Sequence, residues 1–293
     1  MRYVIVTPVR DEAAHVGTMI DSVLAQSVPP WRWVIVDDGS SDSTPEIVAR
    51  KTRGIEWVTV IATGSGRRNL GIAEVVAFQR GLESVEYGEW DYVVKLDGDV
   101  RLPPDYFERI LARMSADDSW GIASGVYLEL ADKRWRQVEM PPYHAAGASK
   151  VVCRPCFQAI GGFVADKGWD TVDEIRAQMN GWRTGHFDDL QFQHLKDEGS
   201  AMGSLETHRF HGEIYYRTGG GPIFLIAKAV RRMWTGRPLV IGGLIMLRGY
   251  LVPLLRGAPR LVSKAEARFY RRMIQRRLMH ALFGRRSSNE VCD

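Results

Sequence analysis

The stretch Trp90-Asp91-Tyr92-Val93-Val94-Lys95-Leu96-Asp97-Gly98-Asp99-Val100 decides the fold. Tyr92, Val93, Val94 and Leu96 form a short aromatic and β-branched run that breaks abruptly at Asp97-Gly98-Asp99. An apolar run bounded by turn residues predicts a buried strand. The two carboxylates then sit at the strand's carboxyl end, where open α/β sheets place their ligands. Two acids separated by one glycine need a compensating cation or protons if they are buried there. A divalent metal carrying a diphosphate supplies that cation, since Mg²⁺ commonly takes one or two carboxylates plus phosphate oxygens. Taken alone, Asp97-Gly98-Asp99 reads equally as a solvated turn, so the surrounding sequence has to decide.

On the N-terminal side, Tyr3-Val4-Ile5-Val6 is a first strand ending at Thr7-Pro8-Val9-Arg10-Asp11-Glu12. A helix over residues 12–25 follows, with Val16, Ile20, Val23 and Leu24 on one face. Trp33-Val34-Ile35-Val36 is a second strand, ending at Asp37-Asp38-Gly39-Ser40-Ser41-Asp42-Ser43. Ser43, Pro45 and Glu46 predict the start of the next helix. Val58-Thr59-Val60-Ile61 leads to Gly64-Ser65-Gly66-Arg67-Arg68-Asn69, and a helix over 69–85 returns to the central strand. Strands alternating with helices predict a mostly parallel sheet with helices on both faces. Right-handed crossovers then bring every strand's polar ending to one edge.

Beyond Asp99 the pattern changes. A helix over 104–114 and a strand over 121–126 are followed by a hairpin over 127–139. Gly168-Trp169-Asp170-Thr171-Val172-Asp173-Glu174 opens a helix that stops at Asn180-Gly181. A strand over 187–193 ends at His194.

Across its 293 residues the chain carries a net charge of +4, with 45% hydrophobic and 25% charged residues. The balance is uneven: between Lys228 and Arg286 there are 15 Lys and Arg and one acid, Glu266. A mildly acidic body thus carries a basic tail, suited to an anionic surface. Within the tail, residues 238–255 are apolar but divided by Arg248. Their charge-free runs of 10 and 7 residues fall short of the roughly 20 needed to cross a bilayer. Residues 263–283 read as a basic amphipathic helix lying in a membrane interface. Few aromatics are interleaved with these bases, which argues against nucleic acid. The scarce cysteines, Cys153, Cys156 and Cys292, suit reduced thiols in a cytosolic protein. Arg2, Arg10, Asp11 and Glu12 interrupt the N-terminal stretch, so no signal peptide is expected in it. The expected division is 1–215 for the α/β domain and 216–293 for the basic helical region.

The motifs TPVRDE (7–12), VDDGSSDST (36–44), RRNLG (67–71), LDGD (96–99), GGF (161–163) and GWDTVDE (168–174), in this order, resemble family 2 glycosyltransferases. These are inverting enzymes of the GT-A fold, and the likeness covers residues 1–215. KLDGDV, CRPCF and GWDTVDE together resemble a bacterial subgroup of envelope and exopolysaccharide assembly.

The resemblance implies a nucleotide-diphosphate sugar donor and Mg²⁺ or Mn²⁺. Thr7 and Asp38 match positions that hold the nucleotide base. Asp97 matches a ribose or phosphate contact and Asp99 a metal ligand, completed by His194. Gly181-Trp182-Arg183 sets the register that makes Asp170 the base for the acceptor hydroxyl, with Trp169 replacing the family's usual Glu. Asp170 and Asp173 read equally as a helix cap, and Asp188-Asp189 is a rival pair. His208 and His211 are alternatives to His194. Arg67, Arg68, Lys150 and Arg154 are candidate base or phosphate contacts, and each also reads as a solvated cation.

The expected activity is therefore inverting sugar transfer to a lipid-linked or glycan acceptor. The enzyme would be cytoplasmic and peripheral, on an anionic inner membrane face. Competing readings are a nucleotidyltransferase of related fold, which would want a Gly-rich phosphate loop after the first strand, and an inactive membrane-bound nucleotide-sugar-binding protein.

Overall fold

The computed structural model describes residues 1–64, 72–86, 88–196, 203–235 and 240–283. These belong to two compact units, Met1–Glu198 and Gly199–Asp293. The division lies earlier than the expected 215/216, because the helix over Ser204–Arg217 packs within the second unit.

The first unit runs β1 (Tyr3–Val9), α1 (Val16–Leu24), β2 (Arg32–Asp37), α2 (Thr44–Thr52), β3 (Val58–Ala62), α3 (Ile72–Glu83) and β4 (Tyr92–Leu96). It continues through β5 (Val100–Arg101), α4 (Tyr106–Ala116), β6 (Trp120–Ala131), β7 (Arg134–Gln137), β8 (Ser149–Cys153), α5 (Arg154–Ala159), α6 (Trp169–Met179) and β9 (Arg183–His194). The sheet order is β3-β2-β1-β4-β8-β6-β9-β5, with β7 paired to β6.

The expected parallel arrangement holds through β3, β2, β1 and β4. Beyond β4 the sheet is mixed: β8 returns antiparallel to β4, and β6 runs antiparallel to β8. The cause is local. The β6–β7 hairpin and the returning β8 replace further helical crossovers. Two reversals restore direction, so β6 and its parallel neighbour β9 point the same way as β4. The carboxyl ends of β1, β2, β4 and β9 therefore share one edge.

Burial follows position in the sheet. Every residue of β4 and β8 is buried, as in a sheet covered on both faces, whereas edge strand β3 is half exposed.

Helix α3 comes unusually close to the sheet at Gly81. A Cβ there would meet Val6 Cγ1 at 2.5 Å and Val36 Cγ2 at 2.7 Å. Helix propensity alone favours Ala over Gly by about 1 kcal/mol. Overpacking a rigid β-branched face costs about 1–3 kcal/mol, so packing wins.

The second unit comprises α7 (Ser204–Arg217), α8 (Pro222–Thr235), α9 (Ile241–Leu255) and α10 (Lys264–Phe283). Helices α7 and α9 meet backbone to backbone. Gly212 faces the Met246 carbonyl and Gly249 faces the Arg209 carbonyl, with no room for a Cβ at either. Tyr250 packs on Tyr215 and Tyr216 and donates to the Gly220 carbonyl at 3.0 Å. Among the described residues, no helix is long and apolar enough to cross a membrane.

We expect Gly81→Ala to lower the urea midpoint, with a loss of roughly 1–2 kcal/mol. Stabilisation by Gly81→Ala would show that α3 is not seated on Val6 and Val36.

Candidate active site

The central strand ends where its sequence indicates. Asp97 follows β4 directly, and Asp99 precedes the two-residue strand β5. Val100 of β5 pairs with His194 at the end of β9, so the short strand turns Asp99 back towards the imidazole. His194 Nε2 lies 3.5 Å from Asp99 Oδ1. Asp97, Asp99 and His194 each offer one ligand atom, all within 4.8 Å of one another.

Burial raises the Asp97 pKa to about 7 despite its bond from Lys95. Burial acts the same way on Asp99, but the hydrogen bond and charge of His194 outweigh it and hold Asp99 low. Glu12, nearby, has its pKa raised by burial and accepts from Lys196 Nζ at 2.8 Å through Oε1. Its Oε2 is buried with no hydrogen-bond partner among the described residues. Clustered acids with an unsatisfied oxygen fit a hard divalent cation, and a carboxylate-rich donor set suits Mg²⁺ or Mn²⁺.

The nucleotide side is built on β1 and β2. Asp38 is buried at the end of β2, accepts from Thr63 Oγ1 at 3.0 Å, and lies 3.7 Å from Arg10 NH1. Arg10 Nε and NH1 are buried without hydrogen-bond partners among the described residues. Guanidinium donors beside a carboxylate acceptor can read a base edge carrying both acceptors and an N–H.

Asp37 and Asp42 are spent on local turns. Asp37 accepts from the Ser40 amide, and Asp42 accepts from the Thr44 amide and hydroxyl. Asp42 thus does the capping expected of Ser43, whose side chain makes no cap bond. Thr7 departs from its expected role: its side chain is fully buried and Oγ1 accepts from Trp33 Nε1 at 2.9 Å. It braces β1 against β2 and exposes no hydroxyl to a base. Arg67 and Arg68 lie outside the described residues.

Asp170 stands in the first turn of α6, whose N-cap is Gly168 at φ 86°. That left-handed value suits glycine. Asp170 is half-buried, and its carboxylate lies close enough to act on the charge of His144. Asp173, one turn on, faces inward instead.

Lys150 and Arg154 require correction as diphosphate contacts. Lys150 is wholly buried, with Nζ 3.0 Å from Asp173, 3.6 Å from Glu174 and 3.2 Å from the Asp170 carbonyl. It supports α6 from beneath and presents no charge to solvent. Arg154 follows Cys153, which pairs with Tyr92 at the start of β4. The antiparallel course of β8 therefore carries it to the edge opposite Asp97, where it donates to the Gly88 carbonyl.

The rival Asp188-Asp189 occupies an irregularity in β9, between Phe187 paired with Gly125 and Gln191 paired with Val126. Asp189 is exposed and bridges Arg113 and Arg109, and the Arg113 hydrogen bond pulls its pKa down to about 2. That is a poor base. His208 is buried in α7 of the second unit, and His211 lies on the same helix.

Sequence reading passed over Lys95, Glu74, His144 and Glu174. The signal was present: Lys95 and Lys150 each stand beside β-branched residues in a short strand that is buried throughout, and a buried ammonium demands carboxylates. His144 Nδ1 lies 3.0 Å from Glu174 Oε1. Burial opposes its protonation, but the Glu174 carboxylate and then Asp170 outweigh burial and raise the pKa to about 9.

The folded-state pKa of His144 thus exceeds the ordinary value of about 6.5. Its stabilisation is complete below pH ~6.5 and vanishes as pH rises through about 9, amounting to at most ~3 kcal/mol. His144→Gln should unfold at lower urea than the parent near pH 6, and the gap should close towards pH 10. A gap independent of pH would contradict the His144–Glu174 ion pair.

The family model for glycosyl transferase family 2 matches residues 4–162. The undecaprenyl-phosphate 4-deoxy-4-formamido-L-arabinose transferase of Pectobacterium carotovorum subsp. carotovorum is 24% identical over 275 residues, spanning 89% of this chain and 77% of that protein. The transferase of the same name from Pectobacterium atrosepticum is 23% identical over the same shares. Among solved structures, the mannosyltransferase PcManGT from Pyrobaculum calidifontis, in complex with GDP-Man and Mn²⁺, superposes with TM-score 0.56. It is 18% identical and covers 96% of this chain and 81% of that one. S. aureus TarS 1–349 in complex with UDP-GlcNAc gives TM-score 0.56 at 17% identity, over 86% and 72% of the two chains. These neighbours share the GT-A fold with this protein. With the family model covering more than half of the sequence, the chain belongs to glycosyl transferase family 2.

Proposed function

We propose that this glycosyltransferase moves a sugar, with inversion, from a nucleoside-diphosphate sugar to a lipid-phosphate or glycan acceptor at an anionic membrane surface. The observation carrying the donor half is the Asp97, Asp99 and His194 cluster at the edge where β1 and β2 bring Arg10 and Asp38. Neighbours captured with GDP-Man and Mn²⁺ or with UDP-GlcNAc support a nucleotide sugar. The names of the relatives support a polyprenyl phosphate acceptor.

Asp99 and His194, with Asp97, would hold Mg²⁺ or Mn²⁺, which supplies Lewis-acid stabilisation of the departing diphosphate. Asp38 and Arg10 would hold the base. The acceptor oxygen forms a bond to the anomeric carbon as the bond from that carbon to the diphosphate oxygen breaks. The electron pair of that bond leaves with the nucleoside diphosphate. For a hydroxyl acceptor, Asp170 takes the proton. A phosphate dianion carries no such proton and makes a smaller demand on the base.

The second unit supports the membrane half. Ile223, Ile226 and Val230 of α8 are exposed at i, i+3 and i+7 spacing, and Ile241, Leu244, Leu251 and Leu255 form a similar stripe on α9. Apolar stripes beside basic residues suit peripheral seating among anionic headgroups, on the cytoplasmic face of the cell membrane. Residues 216–293 would supply that attachment, with α7 as part of the same unit.

Three outcomes are expected. EDTA and Asp99→Ala should each abolish transfer, and full activity in EDTA would remove the metal from the scheme. Asp170→Asn should bind donor normally yet lose roughly 10²–10⁴-fold in transfer to a hydroxyl acceptor, as read by initial rates beside calorimetric donor affinity. Near-parental transfer by Asp170→Asn to every hydroxyl acceptor tested would discard it as the base. Finally, Ile226→Glu with Leu244→Glu should release the folded protein from phosphatidylglycerol vesicles, and parental binding should weaken as salt rises. Undiminished binding by the double variant would show that these stripes are not the attachment.

A further inference from the structure

Lys95 and Lys150 are register partners across the β4–β8 ladder, so their side chains leave the sheet on the same face. Both are buried, at 2% and 0% side-chain exposure. Two adjacent ammonium groups inside a protein repel each other and each has lost its hydration, so strong compensation is required. Lys95 is paired with Asp97 and Glu74. Lys150 is paired with Asp173 and Glu174. One side chain is common to both cations. The Trp169 ring lies with its centroid 5.2 Å from Lys95 Nζ and 4.9 Å from Lys150 Nζ. Both distances are inside the range of cation–π attraction, which strengthens when the cation is desolvated. Phe163, with its ring centroid 4.8 Å away, holds the indole in place.

We propose that Trp169 is a positioning residue: through Lys95 and Lys150 it locks the strand that presents Asp97 to the helix that presents Asp170. The inference rests on the glycosyl-transfer reading, with Asp170 as its base. Trp169 immediately precedes Asp170 and opens α6, so the seat of its ring helps fix where the first turn of that helix starts. Lys150 Nζ also binds the Asp170 carbonyl at 3.2 Å, giving the turn a second hold from the same cation. Charge balance explains why an aromatic residue serves here. Four carboxylates already face two ammonium groups, and an acid at position 169 would add a further buried negative charge without a cation to match it. An indole attracts both cations and adds no charge. It also fills the space beside Gly147, where a Cβ would come within 3.6 Å of the ring.

The test compares Trp169→Leu, Trp169→Phe and Trp169→Glu with the parent in the full-length protein. The measurements are kcat and KM for the nucleotide sugar, nucleoside-diphosphate affinity by calorimetry, and the melting temperature. For Trp169→Leu we expect kcat to fall by roughly tenfold or more, the loss of a desolvated cation–ring contact, while nucleoside-diphosphate affinity stays near parental. Trp169→Phe should recover much of the rate, and Trp169→Glu should not. Unchanged kcat with a lowered melting temperature overturns the inference, because the ring would then serve packing alone. A raised donor KM at constant kcat also overturns it, because the ring would then be a donor contact.

Combining Trp169→Leu with Asp170→Asn separates this inference from the reading beneath it. If Trp169 acts through Asp170, it costs little more once Asp170 is Asn; a fully additive cost overturns the inference. If Asp170→Asn alone retains its rate, the base assignment fails instead. Should Trp169→Leu not fold, fluorinated tryptophans inserted at position 169 keep the shape and weaken the ring's attraction for cations. A stepwise fall of kcat with fluorination supports the proposal, and a constant kcat refutes it.

Discussion

Two lysines side by side in the middle of a buried sheet are the constraint on which the catalytic unit depends. An unpaired ammonium at either position would be untenable, and the fold answers by drawing in carboxylates from separate elements. Glu74 comes from α3, Asp97 from the end of β4, and Asp173 and Glu174 from α6. The compensation fixes where these elements sit. Removing one member of such a buried pair typically costs about 3–5 kcal/mol. An exposed pair such as Arg136–Asp132 contributes about 0–1 kcal/mol. The buried lattice therefore governs the geometry, and most surface ion pairs do not.

This arrangement also explains why neighbouring acids have different parts. Asp97 leans on Lys95, whereas Asp99 faces His194. Asp173 is committed to Lys150, whereas Asp170, three residues earlier, sends only its carbonyl to that lysine. In each case one acid is ion-paired to a buried lysine and its neighbour is not. Helix periodicity separates Asp170 from Asp173, and the tight turn after β4 separates Asp97 from Asp99.

Much of this was legible in the sequence. Apolar strands ending in polar motifs gave the parallel half of the sheet, and Asp97-Gly98-Asp99 with His194 gave the acidic cluster. The direction of β8 was not legible. Ser149-Lys150-Val151-Val152-Cys153 reads the same whether it runs with β4 or against it, and that choice sends Arg154 to the far edge. The inward aim of Lys150 and Thr7 was hidden for a similar reason: a strand shows its alternation but not which face is covered. The boundary between the units escaped because α7 carries mixed polarity, and its membership depends on glycine contacts with α9 that composition does not reveal.

A crystal structure with an unreactive nucleotide-sugar analogue and Mn²⁺, phased at the manganese edge, tests the central claim most directly. The account predicts one anomalous peak between Asp99 and His194, the base edge against Asp38 and Arg10, and the anomeric carbon open towards Asp170. An ion bound by other residues, or an anomeric carbon facing away from Asp170, would contradict it.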